Sequence, residues 1–154
     1  FFFFFSPSSI TLKVTPNNVT KLEPNEVFVF GSNLAGIHGA GAAKYAYSRG
    51  WAQYGQGMGM FESLYGRSYA IATKDYDIKT LDVGNISLQI GLFLRTARLR
   101  PELEFLVTPI GCGLAGFKPA QIVKLFTNGV YSDAFQKVFP NVHLSQCFWD
   151  INPN

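Results

Sequence analysis

Hydrophobic positions along this chain follow two different periods. Val27-Phe28-Val29-Phe30 is apolar at every position, which predicts a strand buried on both faces. Ile10 to Val14 alternates weakly and reads as an edge strand, and Ser68–Thr73 as a short strand followed by the polar run Lys74-Asp75-Tyr76-Asp77. Ile86, Ile90, Phe93, Leu94 and Ala97 recur at helical spacing, so an amphipathic helix is expected over roughly residues 83–99, with Pro101 ending it. Phe105–Ile110 reads as a second buried strand, and Pro119 at the first helical position opens a helix carrying Ile122, Val123, Leu125 and Phe126. A helix over Gly41–Ser48 is closed by Gly50. A weaker helical pattern covers 131–139, Val142–Trp149 reads as a last strand, and Asn152-Pro153-Asn154 as a tail. Residues 51–67 carry four glycines and no clear period, which predicts a long loop of the kind that is often functional. No segment repeats. Strands alternating with helices argue for an α/β domain with a sheet covered on both faces.

Composition narrows this picture. A chain of 154 residues, 47% of them apolar, suits one globular domain. With a net charge of +3 and only 15% charged residues, nucleic acid is not indicated as a partner. Arg95, Arg98 and Arg100 gather where the 83–99 helix ends, and there they suit its dipole. Cys112 and Cys147 make no metal spacing and no disulfide framework, so a reduced, cytoplasmic setting fits. No segment is long enough to span a membrane, and no metal or cofactor motif is present. The run Phe1–Phe5, followed by Ser6-Pro7-Ser8-Ser9, lacks the features of a signal peptide. The absence of an initiating Met reads as a fragment or an uncertain gene start. Residues 1–9 are set apart as poorly ordered, leaving one domain over 10–154.

The candidate chemistry lies where two buried strands run into glycine. After Phe30 come Gly31-Ser32-Asn33-Leu34, then Gly36, His38, Gly39, Ala40, Gly41 and Ala42 at the entry to a helix. After Ile110 come Gly111-Cys112-Gly113-Leu114-Ala115-Gly116-Phe117. A strand, a glycine loop and a helix N-terminus in that order make an anion site, since glycine admits close approach and first-turn N–H groups point outward. Two such loops could clamp a diphosphate from both sides. The alternative is that the glycines serve only tight turns and close helix packing. A P-loop is excluded because no G-K-[ST] occurs. A dinucleotide fingerprint does not fit either, because the glycine spacing departs from it and no acidic residue closes a second strand about 20 residues on.

Single residues carry competing readings. Asn33 could hold a ligand hydroxyl or cap its own turn. His38 could meet a phosphate, act as an acid, or stand as an exposed loop histidine. Cys112 is a nucleophile only with a base nearby; a small packed thiol is the alternative. Glu62 and Asp75 are the carboxylates nearest the candidate segments and could activate a water, or simply face solvent. Phe117 and Tyr65 could stack on a ribose or base.

The pair GSNLAGIHGAGAAKYA and TPIGCGLAGF resembles the macro domain, the ADP-ribose-binding module, and more closely a macro-like family of phage and bacterial proteins. The likeness covers roughly residues 27–126. It implies a three-layer α/β/α fold with a mixed central sheet, its two glycine loops at the C-terminal ends of neighbouring central strands. It also implies that Asn33 contacts a ribose, that Gly39, Ala40 and Gly41 match the family's glycine stretch, and that Gly111–Phe117 wraps the diphosphate. Two features of the family are missing: an Asp for adenine near Ile10–Thr20, and an Asp after the glycine stretch, where this chain has Gly41-Ala42-Ala43. The ligand site therefore carries over better than the chemistry. The implied partner is an ADP-ribose-type small molecule or an ADP-ribosylated macromolecule. A hydrolase of ADP-ribose linkages and a non-catalytic binding or sequestering module remain open, with a nucleotide-processing enzyme on another α/β scaffold as a third class.

Overall fold

A computed structural model describes residues 10–153; the expectation for residues 1–9 lies outside them. Strand β1 covers Val14–Thr15, β2 Glu26–Asn33, β3 Gly59–Glu62, β4 Arg67–Lys74, β5 Glu104–Val107 and β6 Val142–Ser145. They form one sheet in the order β1-β6-β5-β2-β4-β3. All neighbours are parallel except β3, which runs antiparallel to β4, so the sheet is mixed.

The apolar run of β2 explains the layering. Val27 and Val29 point into one cluster with Tyr69, Ile71, Phe105 and Val107. Phe28 and Phe30 point into the other, with Ala70 and Leu106. Helix α1 (Gly41–Ser48) covers the second face through Ala43 and Ala46, helped by Trp51. The first face is covered by α2 (Val83–Leu99), α3 (Pro119–Thr127), α4 (Ser132–Val138) and α5 (Gln146–Trp149). The result is a three-layer α/β/α fold.

The helices start and stop for local reasons. Asp82 caps α2 by accepting from the Asn85 N–H at 2.9 Å, and Ile86, Ile90, Phe93 and Ala97 are its fully buried stripe. Pro119 stands first in α3, and the Gln121 side chain accepts from the Lys118 N–H at 2.8 Å. Helix α1 ends in a Schellman turn, with Gly50 N–H donating to Tyr47 O and Trp51 N–H to Ala46 O. Gly50 takes the left-handed conformation this needs, with φ +78°.

Several elements differ from expectation. Strand β2 does not break at Gly31 but stays paired with β4 through Ser32 and Asn33, with a one-residue bulge in β4 between Ala72 and Lys74. The presumed loop 51–67 contains β3, a four-residue edge strand in which Gly59, Met60 and Phe61 are all half-buried and Glu62 is exposed, so it shows no alternation. The second apolar run leaves the sheet after Val107. The last run divides at Ser145: Val142 and Leu144 are buried at strand period, then Phe148 and Trp149 are buried on α5. At the other edge, β1 is only two residues long and pairs with β6. Among the described residues, no helix is long and apolar enough to cross a membrane.

Candidate functional site

Strands β5, β2 and β4 are parallel neighbours, so the segments that follow them emerge on one side of the sheet. Between those segments lies a cleft of about 300 Å³. The first glycine loop, the second glycine loop and the end of β4 each supply a wall. Gly31, Ser32, Asn33, Gly39, Ala40, Gly41 and Ala42 line it from the first loop, and Gly111, Gly113, Leu114 and Ala115 from the second. Leu34, His38, Cys112, Gly116 and Phe117 are not on its surface.

Residues that line this space carry backbone donors without a backbone acceptor. Lys44 N–H is the first in α1 to reach an intrahelical acceptor, Ala40 O at 3.1 Å. The N–H groups of Gly41, Ala42 and Ala43 therefore have no partner within the helix. In the second loop, Gly116 N–H is taken by Gly113 O at 3.0 Å and Phe117 N–H by Gly111 O at 2.9 Å. Those two bonds fold the loop into a tight turn, and among the described residues Gly113, Leu114 and Ala115 N–H have no backbone acceptor in it. Two sets of donors thus lie on the segments that follow adjacent strands, one of them at the positive end of a helix.

The glycines divide into two kinds. A Cβ on Gly36 or Gly57 would run into the backbone of Gly55 or of Asn33, so these two let the 51–58 segment lie against the first loop. A Cβ on Gly41 or Gly113 would meet nothing within 4 Å. Packing explains the first pair; Gly41 is required by its left-handed φ of +59°, whereas Gly113 has neither reason and borders the open cleft.

Asn33 holds its own loop: its Nδ2 donates to Ile37 O at 2.7 Å and its Oδ1 accepts from Ile37 N–H at 2.9 Å. It also lines the cleft, with one amide hydrogen and one lone pair beyond these bonds. Ser32 is buried and its hydroxyl donates to Gly57 O. His38 is neither exposed nor in the cleft. It is 3% exposed, edge-on to Phe30 at 5.4 Å, beside Tyr47 and Tyr54. Its Nε2 lies 2.8 Å from Gln53 O and must donate there, which leaves a buried Nδ1 lone pair without a partner.

The two carboxylates are placed elsewhere. Glu62 pairs with Arg67 at 3.3 Å, at the start of β4. Along eight residues of β4 that is roughly 23 Å from the Lys74 end at about 3.3 Å per residue. Asp75 follows Lys74, but its Oδ1 accepts from Asp77 N–H at 2.8 Å and Lys79 N–H at 3.0 Å, closing a turn. The Cys112 thiol packs against the core, and burial, with Cys147 nearby, pushes it up to about 11; it is a poor nucleophile at neutral pH. Phe117 packs against the core as well. Tyr65 stands exposed beside Gly50, off the cleft.

Sequence reasoning missed the third wall. Thr73, Lys74 and Ile78 bring β4 and its turn into the cleft. Lys74 is the one ionisable side chain on the cleft wall among the described residues. The apparent surface run after β4 gave no sign of this. A second chamber of about 260 Å³ adjoins the first on the β6 side, sharing Gly41, Ala42, Thr108 and Pro109. Phe28 and Tyr45 provide its aromatic walls, and Asn17, Asn18 and Ser145 its polar ones.

No protein-family model matches the chain, and no curated protein matches it by sequence. Among solved structures it is similar to the macrodomain of Mycobacterium tuberculosis DarG, with a TM-score of 0.56 and 17% identity over 88% of this chain and 95% of that one. At this identity the likeness is one of architecture alone: the chain has the macrodomain fold.

Proposed function

We propose that this protein binds ADP-ribose, or a related nucleotide diphosphate, free or carried on a macromolecule. The observation that carries the reading is two sets of N–H groups without a backbone acceptor, Gly41–Ala43 and Gly113–Ala115, on residues that line one cleft. Backbone donors held in place by the fold suit a diphosphate, because they need no reordering to bind it. Lys74 adds a positive charge on the β4 side. The adjoining aromatic chamber is the natural place for a nucleobase, and the Lys74 end then takes the terminal ribose. Base, diphosphate and sugar would lie in that order across β6, β5, β2 and β4.

Binding is favoured over hydrolysis by the wall itself. No carboxylate lines the cleft among the described residues, so a carboxylate-activated water has no candidate there.

Calorimetric titration tests the proposal. ADP-ribose should bind in the micromolar range and adenosine at least tenfold more weakly, since charge-assisted hydrogen bonds are worth about 1.5–3 kcal/mol each. No heat with ADP-ribose up to millimolar concentration would refute the reading. An ADP-ribosylated peptide should be retained intact by mass spectrometry; its cleavage would identify a hydrolase.

A further inference from the structure

Ile78 is a β-branched residue in the left-handed region, with φ +63°. That conformation disfavours Ile more than almost any other residue, and it persists only where the surroundings over-determine it. Here they do. Asp75 N–H donates to Lys79 O at 2.7 Å and Ile78 N–H to Asp75 O at 3.1 Å, while the Asp75 carboxylate accepts from Asp77 and Lys79. Lys74 bridges to Thr80, and Leu81 N–H donates to Thr73 O at 2.8 Å. The Thr80 hydroxyl then donates to Ala115 O at 3.1 Å, so the turn is fastened to the second glycine loop.

All this rigidity holds an isoleucine that is 42% exposed and lines the cleft beside Lys74. Core packing does not require it there. Leu114, 76% exposed, lines the cleft on the segment to which the turn is tied. An apolar pair at this end is unsuited to phosphate oxygens but suits the C–H face of a sugar ring.

We propose that Ile78 is a specificity residue, held in a strained turn so that its side chain covers the sugar ring beyond the diphosphate. The inference rests on the nucleotide-diphosphate reading above. ADP lacks that sugar and ADP-ribose carries it, so the preference between the two ligands reports on Ile78, while binding of either reports on the cleft.

The test is titration of both ligands into the wild-type protein, Ile78→Asn and Ile78→Gly. Asn and Gly both tolerate the left-handed region. Both variants should lose about three- to tenfold in ADP-ribose affinity, the effect of one or two buried methylene equivalents, with ADP affinity unchanged. Without ligand, Ile78→Asn should melt roughly 2–4 °C higher as strain is relieved. An unchanged preference for ADP-ribose over ADP would overturn the proposal, as would equal loss of both ligands, which would mean that the turn merely shapes the whole cleft. If the wild-type protein binds neither ligand, the nucleotide reading itself fails, and the proposal with it.

Discussion

Gly113→Glu should lower ADP-ribose affinity by at least two orders of magnitude while the protein stays folded. Gly113 is exposed, and a Cβ there would meet nothing within 4 Å, so the substitution has room in the free protein. Its φ is not in the left-handed region that would add strain. In the proposed complex the same space would hold a phosphate. Glutamate would fill it with bulk and a negative charge, and at about 4 Å and an effective dielectric of 20 each like-charge pair costs roughly 4 kcal/mol. Salt would screen part of this, which leaves roughly a hundredfold or more. The melting temperature without ligand should barely move. A folded variant that binds normally would show that the second loop does not meet phosphate. Ala115→Glu, on the same wall, provides an independent variant.

The largest loss of stability is expected at a polar residue, Gln89→Leu. Strand β3 pairs with β4 only as far as Gly59 opposite Ala70. Beyond that point the outer side of β4 has no strand partner. Gln89, 8% exposed on α2, takes over: its Oε1 accepts from Ala72 N–H at 2.7 Å and its Nε2 donates to Ala72 O at 2.9 Å. Leucine has similar bulk but would leave a buried donor and a buried acceptor unpaired. At about 1–3 kcal/mol for each such group, the loss is roughly 3 kcal/mol, or about 6–12 °C in melting temperature. Ala72 is followed by Thr73 and Lys74 on the cleft wall, so weaker ligand binding should accompany the loss. A melting temperature within a degree of wild type would mean that water or a shifted strand satisfies Ala72 as well as Gln89 does.

What was legible in the sequence depended on local pattern. Val27–Phe30 announced a doubly buried strand because both faces of β2 meet core. The spacing of Ile86, Ile90, Phe93 and Ala97, with Pro101 beyond, located α2. The two glycine loops were readable as a pair, and the parallel pairing of β2 with β5 places them side by side. What stayed hidden was long-range. Lys74 and Ile78 look like surface residues until β4 is seen to flank β2 on the side away from β5. Glu62 looked close to the site because it precedes β4 by a few residues. The antiparallel return of β3 instead sets it at the opposite end of the sheet. His38 sits in a glycine-rich stretch that suggests exposure, yet Phe30, Tyr47 and Tyr54 gather around it from three segments. At Ser145 a strand period passes into a helical one within the single stretch Val142–Trp149, and eight residues are too few to display the change.

Whether backbone N–H groups of both glycine loops hold one diphosphate is read most directly by amide chemical-shift mapping during titration with ADP-ribose. The largest shifts are expected at Gly41, Ala42 and Ala43 and at Gly113, Leu114 and Ala115, moving together with one dissociation constant, while β3 around Glu62 stays unmoved. Shifts confined to one loop, or centred away from both, would contradict shared binding by the two loops.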